Sequence, residues 1–110
     1  MRYLSHLYFR TDATFGRYAA IEVKDGMIVS IKENALENGE FAATRFFSGV
    51  IVPEMEPFVF ADKDDFLNKA AVAMSDNSNA ISVGQKCNLM VVEGFDLTTF
   101  DGVNAKWRKI

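Results

Sequence analysis

The chain has 110 residues, 49% apolar and 25% charged, with a formal net charge of −3 and an isoelectric point near 5.1. That is one domain, long enough to bury roughly two thirds of its unfolded surface without a covalent staple. The acidic balance argues against general attraction to nucleic acid or to anionic lipid.

In chain order, 2–9 (RYLSHLYF) reads as a first strand, and TDATFG as a polar turn ended by glycine. YAAIEVKDGMIVSIK (18–32) is the clearest local signal, because Asp25-Gly26 suits a type I′ hairpin turn, whose two central residues need positive φ. A two-residue loop there sets Lys24 against Met27, Val23 against Ile28, Glu22 against Val29 and Ile21 against Ser30. Neither face of the second hairpin strand is polar, which places it centrally in a sandwich or barrel-like sheet, or against a partner. A polar connection follows at 33–40, turning at Asn38-Gly39. TRFFSGVIVP (44–53) is a further strand, in which Gly49 marks a bulge or a close backbone approach.

DKDDFLNKAAVAMS gives the one helix, over about 63–75. Asp62 is its N-cap, Asp64 and Asp65 suit the positive end of its dipole, and Phe66, Ala70 and Met74 form an apolar stripe beside Leu67 and Ala71. DNSN (76–79) breaks the helix. ISVG, CNLMVVEG and VNAKWRKI then supply the returning extended segments, for about six strands in all.

Chemistry-bearing residues are few. His6 is the only histidine and lies among aromatic residues of a strand. Cys87 is the only cysteine, so the chain has no internal disulfide; Lys86 beside it would lower a thiol pKa only if both faced the same way. DKDD is explained by capping and DNSN by turn chemistry rather than by calcium. Glu54 and Glu56, two apart in PEMEP, are a carboxylate pair in a proline-flanked acidic loop. At the end, Lys106, Arg108 and Lys109 surround Trp107, a terminal strand with solvated charges rather than a nucleic-acid reader. No basic-then-apolar leader opens the chain and no stretch approaches membrane-spanning length, so a cytoplasmic protein is expected.

Three segments together are similar to a known superfamily. AIEVKDGMIVSI followed by FFSGVIVP resembles the opening of the metal-dependent amidohydrolases, with Asp25, Gly26 and Ile28 in a first motif and Gly49, Val52 and Pro53 in a second. ISVGQKCNLMVVEG resembles their closing stretch, through Ile81, Gly84, Leu89, Val91 and Val92. The resemblance implies the small composite β-sandwich that flanks the catalytic barrel in that superfamily. It implies no catalytic site, since the positions of the metal-binding His-x-His fall near Val59 and Ala61. A barrel needs roughly 250 residues that are not here.

The expectation is therefore a mainly β, single domain over 1–110, a small composite-type β-sandwich with N-terminal strands in 2–53 and C-terminal strands in 80–110, joined through one helix. Its expected role is non-catalytic, a binding or protein-interaction module without cofactor or metal. An interaction surface, for a second copy or another protein, is expected among Phe46, Phe58, Phe60, Phe66, Ala70 and Met74. The rival readings are a companion subunit of a separate hydrolase, and a small ligand-binding protein or enzyme using Glu54, Glu56, Asp62 or His6.

Overall fold

The computed structural model describes residues 1–34, 44–75 and 80–110. The turn expected at Asn38-Gly39 and the break at DNSN lie outside the described residues. The elements are β1 (Arg2–Phe9), β2 (Phe15–Lys24), β3 (Met27–Lys32), β4 (Thr44–Pro53), α1 (Lys63–Ser75), β5 (Leu89–Glu93) and β6 (Lys106–Lys109). The fold is mainly β, with six strands in one mixed sheet of order β3-β2-β1-β4-β5-β6 and a single helix. Among the described residues only the central β1–β4 pair is parallel. Among the described residues no helix is long and apolar enough to cross a membrane.

The sheet curls on itself. A flat sheet would hold β3 and β5 four strand spacings apart, roughly 19 Å. Yet Lys86 bridges to Met27 at the start of β3, and only three residues later Leu89 opens β5 opposite Pro53. Three residues of extended chain reach about 10 Å. The segment from Gly84 to Cys87 seals this closure through backbone hydrogen bonds to Gly26 and Ile28. Inside the curl, Ile81 and Leu89 pack with Ile21, Ile28, Phe47 and Ile51. On the opposite face α1 lays Phe66 and Ala70 against Phe9, Val50, Val52 and Val92. In place of two facing sheets, one curled sheet plus a helix thus supplies the packed layers of this mainly β fold.

The hairpin forms as Asp25-Gly26 requires, with φ of 53° and 76°. Lys24–Met27 and Val23–Ile28 pair as expected, but Glu22 then pairs with Ser30 and Ile21 with Ile31. The extra residue is Val29, left 44% exposed, and the bulge swings Ile31 onto the core face beside Ile21. β3 is also an edge strand rather than a central one, its apolar character satisfied by the curl and by the 84–87 segment. β2 starts earlier than the glycine-ended turn suggests. Asp12 accepts hydrogen bonds from Thr14, the turn closes by Thr14, and Phe15 already pairs with Phe9. ISVG forms no strand, only the turn leading to the Lys86 bridge. At the other sheet edge, β6 exposes Lys106, Arg108 and Lys109 and turns Trp107 inward onto Phe58, 4.8 Å between ring centres. Charges of this kind discourage edge-to-edge pairing.

A second irregularity bears on the site. Leu7, Phe9 and Phe15 pack on the helix side, whereas Tyr3, Tyr8, Ala19 and Ile21 pack inside the curl. With side chains alternating strictly, Tyr3 would share a face with Leu7, and Phe15 with Ala19. Both strands therefore switch faces midway. The switch coincides with Tyr18, whose φ is +50°, standing opposite His6 between the Ser5–Ala19 and Leu7–Arg17 pairs.

The helix is capped as the sequence suggests. Asp62 Oδ1 accepts a hydrogen bond from the Asp65 amide at 2.8 Å, and Asp65 Oδ2 accepts one from the Ala61 amide at 2.9 Å. This second bond, aided by Lys69, holds the Asp65 carboxyl below its ordinary pKa. Asp62→Ala is expected to lower stability by about 1 kcal/mol in urea denaturation, while Asp62→Asn keeps most of it. Equal losses in the two variants would show that the cap is not what Asp62 supplies.

Candidate functional site

The face switch leaves a cleft. Its floor and one wall come from β1 and β2 through His6, Leu7, Phe15, Arg17 and Tyr18. The first two turns of α1 contribute Lys63 and Leu67, and the loop after β5 contributes Leu97, Thr98 and Phe100. The cavity is about 600 Å³, within the size range of small-molecule sites.

Each wall is fixed by local chemistry. The Arg17 carbonyl accepts a hydrogen bond from the Asn34 amide, tying β2 to the end of β3. Thr98 donates from its amide and its hydroxyl to Asp96, whose carboxyl is held below its ordinary pKa by those bonds. The same loop ends at Phe100, which is 2% exposed and has a φ of +55°. Two bulky residues of the lining, Tyr18 and Phe100, thus adopt left-handed backbone, a conformation that costs of order 1–3 kcal/mol each and collects at functional sites.

His6 packs edge-on against Phe46 at 5.2 Å and at a tilt against Tyr18 at 6.1 Å. Its Nδ1 is shut off from solvent and has no hydrogen-bond partner among the described residues. The Lys63 ammonium stands 5.7 Å above the Phe15 ring. Among the described residues neither Arg17 nor Lys63 is engaged in an ion pair, and no carboxylate lines the cleft.

The other sequence candidates are scattered. Glu54 pairs with Lys109 at 2.9 Å on the far edge of the sheet, and Asp62 is occupied as the helix cap. Glu56 borders a separate shallow groove with Phe58 and Lys69. Only His6 enters the cleft. Burial pushes the Cys87 thiol up, the reverse of what Lys86 alone would do. Val59 and Ala61 are exposed, and they offer their carbonyl to Lys69 and their amide to Asp65 respectively. No group of three His, Cys, Asp or Glu side chains is arranged to hold a metal among the described residues.

Of the residues expected at an interaction surface, Phe60, Phe66 and Ala70 are fully buried in the helix-side core. Phe58 and Met74 are partly buried against it, and Phe46 alone is well exposed, at 51%. Arg17, Lys63, Phe15 and Leu97 carry no motif in the sequence. They come from three separated segments and meet only through the fold.

No protein-family model matches the chain, and no curated protein or solved structure is significantly similar to it.

Proposed function

We propose that the chain is a non-catalytic binding module on a composite-type β domain, and that the cleft is where it takes a small molecule. The observation that carries this reading is the cleft itself: apolar walls from β1, β2, α1 and the loop after β5, a few polar groups converging on it, and strained backbone maintained on two sides. A binding role rather than catalysis is supported by the placement of the acidic candidates, which are capped, ion-paired or remote from His6. The composite-domain reading draws support from adjacency. Gly49–Pro53, the strand of the second motif, pairs with Leu89–Glu93 of the closing stretch. The Asp25-Gly26 turn is hydrogen-bonded to Cys87 of the same stretch, and Gly84 there has a φ of +92°.

The test is a fragment screen on isotope-labelled protein, read by backbone amide shifts. Hits are expected to move amides of Leu7, Arg17, Tyr18 and Thr98 together. A screen in which nothing perturbs these amides, or in which hits gather at Glu56 and Phe58, would overturn the assignment of the site.

A further inference from the structure

We propose that the cleft takes an organic carboxylate on an apolar body, with the carboxylate at Arg17 and Lys63 and the body against Phe15, Leu67 and Leu97. This rests on the small-molecule reading of the cleft and adds the class of ligand.

The charge pattern is the first argument. The chain as a whole has a formal charge of −3, yet this lining carries two permanent cations and no acid. Five surface cations are paired with carboxylates, Arg2 with Glu22, Arg10 with Glu33, Lys69 with Asp65, Arg108 with Glu93 and Lys109 with Glu54, and none of these lines the cleft. Among the described residues Arg17 and Lys63 have no carboxylate partner, which leaves them for a charge supplied from outside. Asp12 and Asp96, which border two of the lining segments, are turned to their own threonines, Thr14 and Thr98; Glu22 pairs with Arg2, and Asp62 beside Lys63 is occupied as the helix cap. A guanidinium presents a planar fork that fits a carboxylate with two parallel hydrogen bonds, and an ammonium adds a point charge.

The apolar walls are the second argument. Leu7, Phe15, Leu67, Leu97 and Phe100 make the lining mainly hydrocarbon, so an inorganic anion would fill only the charged end. Burying hydrocarbon there gains about 25 cal/mol per Å² removed from water. A ligand with both ends satisfies the site, which favours an aryl or alkyl carboxylate over phosphate.

The experiment compares 3-phenylpropanoate with its neutral amide by amide-shift titration, on the wild type and on an Arg17→Gln/Lys63→Gln double variant. Both positions are exposed, so the variant is expected to keep the wild-type spectrum elsewhere. The acid should bind the wild type about tenfold more tightly than the amide, the scale of one charge-assisted hydrogen bond. The double variant should lose that preference and retain the weak binding of the amide. Equal affinities for acid and amide in the wild type would overturn the ligand class while leaving small-molecule binding intact. Displacement of the acid by equimolar inorganic phosphate would overturn the role of the apolar body. No shift at the cleft with either probe, together with an empty fragment screen, would overturn both the ligand class and the function.

Discussion

Phe66→Ala should lower stability by about 3–5 kcal/mol, the cost of emptying a large buried aromatic site. Phe66 is fully buried at the centre of the helix-side core. Its ring lies 4.8 Å from Phe60, 5.4 Å from Phe58, 5.6 Å from Phe15 and 5.7 Å from Phe100, and it stacks on Trp107 at 6.3 Å. These partners come from β2, the segment before α1, the loop after β5, and β6, so one side chain ties the helix to four parts of the chain. For a domain of this size such a loss lowers the melting temperature by about 15–25 °C. It also consumes much of a typical total stability of about 5–15 kcal/mol. Thermal melts and urea titrations of Phe66→Ala and Phe66→Leu decide it, with Phe46→Ala as the exposed comparison. The leucine variant should lose far less than alanine. A loss below about 1 kcal/mol for alanine would mean that the helix does not sit on this cluster. If Phe66 instead belonged to an interface, the variant would change the state of association and leave the monomer's stability in place.

How far the sequence discloses the fold depends on the range of the forces at each position. The Asp25-Gly26 turn was legible because positive φ is a property of those two residues alone, and both have it. The helix was legible because its cap and stripe repeat within a few residues, and its bounds are those expected. The bulge at Val29 was not legible: local alternation cannot show that Ile31 gains more by facing Ile21 than by keeping register. The curl was equally hidden. It depends on Lys86 meeting Met27, residues far apart in sequence whose encounter no local pattern encodes. The candidate site fared worse for the same reason. His6 stood out because it is the only histidine, but the cations that give the cleft its character look like ordinary solvated surface residues until β2 and the start of α1 converge. The aromatic residues carried the opposite ambiguity. Ten phenylalanines fit a packed core or an apolar interface equally well in a sequence, and the structure puts Phe60 and Phe66 in the core.

Gly49→Ala should be nearly as damaging, by about 2–4 kcal/mol, for a reason that has nothing to do with cavities. A Cβ at position 49 would run into the carbonyl oxygen of Val92 and crowd the Glu93 backbone, where β5 pairs with β4. The obstacle is backbone held in a ladder, so no side-chain rotation relieves it. The same stretch of β4 carries an extra residue relative to β1, because Ser5 pairs with Phe47 but Leu7 with Val50. Gly49 thus lets β4 bulge toward one neighbour while approaching the other closely. Gly26→Ala makes the informative contrast. Nothing lies within 4 Å of a Cβ there, so its cost is only that of holding alanine at a φ of 76°, about 1 kcal/mol. Hydrogen exchange separates the two: Gly49→Ala should speed exchange along β4 and β5, and Gly26→Ala chiefly at the hairpin turn. Wild-type stability in Gly49→Ala would show that β5 does not approach β4 as described. If the loss is as expected, Gly49 has a sufficient explanation in strand pairing.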